Sequence, residues 1–133
     1  MPHQIIEYSK NLEGDLDIEG LLEVLHETAA RIEAFPVAGL RTRAVARDHY
    51  RIADADENNS FVHVVLRIAH GRTLDVQKAA GDEIFEALCR FLQPAYATRP
   101  LAISFEMQEI NPDLRWKQNN LREYLDKRSE QRE

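Results

Sequence analysis

Twice along this chain, a stretch that alternates with period two runs into a short polar turn containing glycine. A helical stretch then opens around Leu-Asp-Ile or Leu-Asp-Val, and a second alternating stretch follows. In the first unit, residues 2–8 alternate, with Ile6 and Tyr8 on one face and Ile5 on the other. "NLEGDLD" breaks the pattern, and Asp17 suits an N-cap because its short carboxylate can accept the free N–H groups of a first turn. From Ile18 to Phe35, Leu21, Leu22, Leu25, Ala29 and Ile32 recur at helical spacing. Pro36 stops that helix, Gly39 supplies a turn, and residues 40–54 read as a second strand. After the turn residues "ADENN", "SFVHVVLRIA" (60–69) is the clearest strand. "HGRTLD" precedes a second helix with Ile84, Leu88, Phe91 and Leu92 on one face, and residues 100–110 form the fourth strand. The polar remainder predicts a short helix that frays after Lys127.

This order predicts an α/β (α+β) fold: two fused β-α-β units making a four-stranded sheet with two helices on one face. The halves span about residues 1–58 and 59–120 of a single domain, 1–133, with a polar C-terminal tail. The second sheet face also carries Leu, Ile and Val. That predicts cover from other subunits, since one chain has no third layer to supply it.

The 133 residues are enough for a real core, and 44% hydrophobic with 30% charged is ordinary globular composition. A net charge of −6 argues against nucleic-acid binding but permits a local arginine pocket for a small anion. One cysteine, Cys89, excludes an internal disulfide. The histidines His3, His26, His49, His63 and His70 lack metal-ligand spacing, so no metal is expected. No apolar run reaches membrane-span length, and the first residues lack a secretory signal, so the expected location is the cytoplasm.

Two features could carry chemistry. Proline at position 2 permits trimming of Met1, which would leave a secondary amine. An α-amino group titrates at about 7.7–8.0, within reach of neutrality for a working base. With Met1 in place the same nitrogen is a tertiary amide and has no basic lone pair. The second feature is arginine: Arg41 and Arg43 share one side of their strand. Arg72 follows Gly71 at a helix entry, where backbone N–H groups favour an anion. The guanidinium fork binds carboxylates through paired bonds, so these residues suit a di- or tricarboxylate.

Four blocks, "MPHQIIEYSKNLE", "FPVAGLRTRA", "FVHVVLRIAHGR" and "SFEMQEINPDLRWKQNN", resemble the 5-carboxymethyl-2-hydroxymuconate Δ-isomerases of the tautomerase superfamily. The resemblance covers roughly residues 2–120. It implies a tautomerase-like homotrimer with inward-facing sheets, and a cofactor-free isomerase of homoprotocatechuate breakdown. It further implies Pro2 as general base, with Arg41, Arg72 and, by orientation, Arg43 holding substrate carboxylates. Superfamily members that dehalogenate, hydrate or decarboxylate related unsaturated acids use the same scaffold, and a non-catalytic trimer is a third reading. Phe105 and Trp116 both fall in family-like segments, which leaves open which of them lines the pocket.

Overall fold

A computed structural model describes residues 2–132. Its elements are β1 (His3–Ser9), α1 (Ile18–Ala30), β2 (Arg41–Arg47), β3 (Ser60–Ala69), α2 (Leu74–Thr98), β4 (Leu101–Ile110) and α3 (Leu121–Arg132). The sheet order is β2-β1-β3-β4. β1 runs parallel to β2 and β3 parallel to β4, so each β-α-β half contributes one parallel pair. The halves meet where β1 and β3 pair antiparallel, with Gln4 opposite Leu66, Ile6 opposite Val64 and Tyr8 opposite Val62.

Period two decides what each strand buries. Ile6, Tyr8, Val62, Val64, Leu66 and Ile68 face the helices and join Leu21, Leu25 and Ala29 of α1 in one core. From α2 come Ala80, Ile84, Leu88 and Leu92, four positions spaced by four, the stripe a helix presents to a sheet. Burying each large aliphatic side chain contributes roughly 1.5–3 kcal/mol. No helix among the described residues is long and apolar enough to cross a membrane.

Several boundaries depart from the sequence reading. α1 ends at Ala30 rather than near Phe35: the chain tightens through Ile32 N–H to Ala29 and Phe35 N–H to Ile32. Phe35, disfavoured in the helical region by Pro36, instead turns its ring into the core. β2 stops at Arg47 rather than running to residue 54, because its partner β1 ends opposite it at Ser9 and leaves no ladder to extend. The Leu-Asp echo is out of structural step. Asp17 is the N-cap of α1, accepting from Gly20 N–H at 2.9 Å. At α2, Thr73 caps by accepting from Val76 N–H, and Asp75 lies within the first turn. What the two β-α connections share is a glycine with positive φ, Gly14 (+92°) and Gly71 (+118°), a conformation other residues adopt only under strain. α3 continues past Lys127 to Arg132.

The second sheet face is also less apolar than expected. Ile5 and Val65 pair near its centre, but around them stand Arg41, Arg43, Arg67, an Arg47–Glu7 ion pair at 2.5 Å and His63 bonded to Glu106. Leu88, fully buried at the middle of the α2 stripe, tests the core. Leu88→Ala is expected to lower unfolding free energy by about 2–5 kcal/mol in urea titration, with the m-value unchanged.

Candidate active site

At one end of the sheet β1 and β2 begin while β3 and β4 finish, and the chain after β4 folds back across that end. The crossing segment is pinned by Asn119, whose Nδ2 donates to Ala38 O at 3.2 Å. Its Oδ1 accepts from Leu121 N–H and so caps α3. Beneath the crossing lies a cavity of about 470 Å³ that includes His3, Arg41, Arg67, Arg115, Trp116 and Lys117 in its lining.

Strand register builds its floor. His3 sits directly opposite Arg41 on β2 and Arg67 on β3, and residues opposite one another in a ladder share a face. Arg43, one period along from Arg41, reaches His3 Nδ1 at 3.2 Å, while Arg41 Nη1 lies 3.5 Å from Nε2. Only a neutral imidazole can accept such a bond, and then at one nitrogen only. Burial first, then Arg43, Arg41 and Arg67, lowers the pKa of His3 below the ordinary 6.5 and keeps the ring neutral.

The cations are left uncompensated. Arg47, on the same side of β2, has Glu7 as partner. Among the described residues, none of Arg41, Arg67, Arg115 and Lys117 has a carboxylate within salt-bridge distance, and no acidic residue lines the cavity. In a chain of net charge −6, four unpaired cations around one cavity form a ready anion site.

Pro2 is buried immediately before His3, and its carbonyl accepts the Arg41 N–H at 3.1 Å. Alternation turns its ring towards the helices, on the side of Gln4. Gln4 is fully buried and fastens this corner: Nε2 donates to Leu25 O and to Thr42 Oγ1, which in turn lies 2.8 Å from His26 Nδ1. The state of Met1 lies outside the described residues.

The arginines expected from sequence therefore separate. Arg41 lines the cavity and Arg43 touches its floor through His3. Arg72 does not line it. Its Nε and Nη2 donate to Ala34 O and its Nη1 to Ala69 O, with the guanidinium 5.8 Å from the Phe35 ring, so it staples the turn after α1 to the end of β3. Trp116 lines the cavity, whereas Phe105 points to the helical side and packs against the core. Sequence reasoning missed His3, Arg67, Arg115 and Lys117. Arg67 left a trace, as the one cation in an otherwise apolar strand, but its place beside His3 depends on a pairing that periodicity does not show.

The profile of the family described as 5-carboxymethyl-2-hydroxymuconate isomerase matches residues 2–125. The 5-carboxymethyl-2-hydroxymuconate Delta-isomerase of Escherichia coli is 37% identical over 121 residues, covering 91% of this chain and 96% of that protein. The crystal structure of a 5-carboxymethyl-2-hydroxymuconate isomerase from Deinococcus radiodurans R1 superposes with TM-score 0.86 at 36% identity, covering 93% of each chain. A fused 4-OT described as a wild type symmetric trimer shares the fold alone, at 12% identity and TM-score 0.63 over 87% of this chain and 93% of that one.

The lowered pKa of His3 has a definite sign in stability. Between the ordinary 6.5 and the lower native value, the unfolded chain binds a proton that the folded chain refuses. Acidification through that window therefore destabilises the fold, and the effect vanishes above it. His3→Gln is expected to flatten this part of the curve, read as urea midpoint against pH.

Proposed function

Because the chain belongs to the 5-carboxymethyl-2-hydroxymuconate isomerase family, we propose that it is a cofactor-free isomerase that moves a proton along the conjugated system of 5-carboxymethyl-2-hydroxymuconate, in homoprotocatechuate breakdown in the cytoplasm. The observation that carries the site assignment is the clasp between Pro2 O and Arg41 N–H beside a cavity of unpaired cations. It holds the second residue of the chain one peptide from an anion site.

In this reading Met1 is removed and Pro2 becomes a secondary amine. The amine takes the proton from the 2-hydroxyl of the dienol, leaving a conjugated dienolate and a protonated pyrrolidine ring. It then returns a proton to the distal carbon, which yields the unsaturated 2-oxo acid and restores the amine. An α-amino group ordinarily titrates at about 7.7–8.0, near the ambient pH at which a proton shuttle works best. Arg41, with Arg43 at its side, holds one muconate carboxylate and stabilises charge as it spreads towards the enolate oxygen. Arg72 holds the other carboxylate in a homotrimer, contributed by a neighbouring copy. Of its five N–H groups, three serve the carbonyls of Ala34 and Ala69, which leaves two for a ligand. The likeness to the fused trimer at fold level supports that assembly.

The test is ketonisation of 5-carboxymethyl-2-hydroxymuconate by chain whose intact mass shows Met1 removed. Pro2→Ala is expected to lower kcat by about 10²–10⁴ while substrate still binds. Arg41→Gln is expected to lower kcat/KM by about tenfold or more through the loss of a charged hydrogen bond. Full activity in Pro2→Ala would end the assignment of the base. Full activity in Arg41→Gln would remove the cavity from the reaction.

A further inference from the structure

Holding the two ends of a muconate occupies Arg41, Arg43 and Arg72, and leaves Arg67, Arg115 and Lys117 without a task. Like charges are not collected around one cavity without cost, and among the described residues no acidic side chain lines it. Their positions divide them from the muconate group. Arg41 and Arg67 spring from strands on opposite sides of β1, so their backbones stand roughly 10 Å apart, twice the strand spacing. Arg115 and Lys117 hang from the segment that crosses above and is tied down at Ala38. One carboxylate cannot satisfy both sides together with two further cations. Between them stands Trp116, 85% exposed, a flat apolar ring held in water beside guanidinium groups. An indole face so placed suits a planar conjugated ligand, with the charges arranged around its edge.

We propose that Arg67, Arg115 and Lys117, with Trp116 as a wall, form a separate carboxylate subsite that selects a tricarboxylate over a dicarboxylate substrate. The inference rests on the isomerase reading and deepens it: the extra carboxylate is the one on the carboxymethyl branch. These are specificity residues. They take no proton, and neutral His3 acts as the spacer that keeps the two cationic groups apart.

Trp116 is the only tryptophan of the chain, so its fluorescence reports this cavity directly. The Met1-free protein is titrated with tricarballylate and with glutarate, saturated acids of three and two carboxylates, and its kcat/KM is measured on 5-carboxymethyl-2-hydroxymuconate and on 2-hydroxymuconate. The expected wild-type result is at least about tenfold tighter binding of tricarballylate, weakening as salt is raised. In Arg115→Gln/Lys117→Gln, and separately in Arg67→Gln, the tricarboxylate-to-dicarboxylate ratio should fall by about tenfold both in affinity and in kcat/KM. Arg115 and Lys117 lie outside the sheet and the core, so that variant keeps its fold. Equal wild-type affinity for the two acids, or ratios unchanged in the variants, would overturn the subsite. Should the wild type turn over neither muconate, the isomerase reading fails and the fluorescence ratios alone decide the subsite.

Discussion

Everything in this molecule hangs on the antiparallel pairing of β1 with β3. Alone, either β-α-β half would have two strands and one helix, too little surface to enclose a core. Joined along this seam, Ile6, Tyr8, Val62, Val64, Leu66 and Ile68 form a continuous floor for both helices. The same register sets the chemistry on the opposite face. A strand that puts Gln4 and Ile6 against the helices must put His3 and Ile5 on the other side, and the pairing then carries Arg67 to one flank of His3 while β2 carries Arg41 to the other. Core and cationic cavity are two readings of one alignment, so a slip of one residue would destroy both.

The electrostatics follow from what is withheld. Elsewhere several charges find partners: Lys10 with Asp48, Arg90 with Glu86, Arg99 with Asp15. The first two are exposed on both sides and contribute little to stability. At the end of the sheet the pairing stops, and the cations face a cavity with only a neutral imidazole among them. Membership of an isomerase family whose named members act on a carboxylated muconate gives that omission a chemical sense.

Much of this was legible in the residues. Strands that alternate and helices with a four-residue apolar stripe declare themselves, so the element order, the sheet of four and the single helical layer could all be read. Asp17 as a cap followed from its position before Ile18. The misreadings share a cause, which is that local pattern carries no information about partners. Residues 48–54 alternate well enough for a strand, yet no strand lies beside them. Ile32 and Phe35 keep helical spacing, yet the second has a better place in the core. The arginines show the same limit. Arg41 and Arg43 could be paired by spacing alone, but Arg67 meets His3 only through the ladder, and Lys117 arrives only because a polar segment doubles back. Arg72, read from its motif as a ligand for anions, spends three of its five donors on backbone carbonyls and keeps two for a ligand, a division its motif does not show.

The bond from Asn119 to Ala38 links two stretches far apart in sequence, the return segment after β4 and the short turn that launches β2. The roof of the cavity is thereby hung from the same turn that aims Arg41. A residue gained or lost between Pro36 and Leu40 would raise or lower both together, altering headroom without touching a strand or the core. Related chains could thus differ in the room beneath that roof through the length of one surface turn alone, while the strands and the core stay as they are.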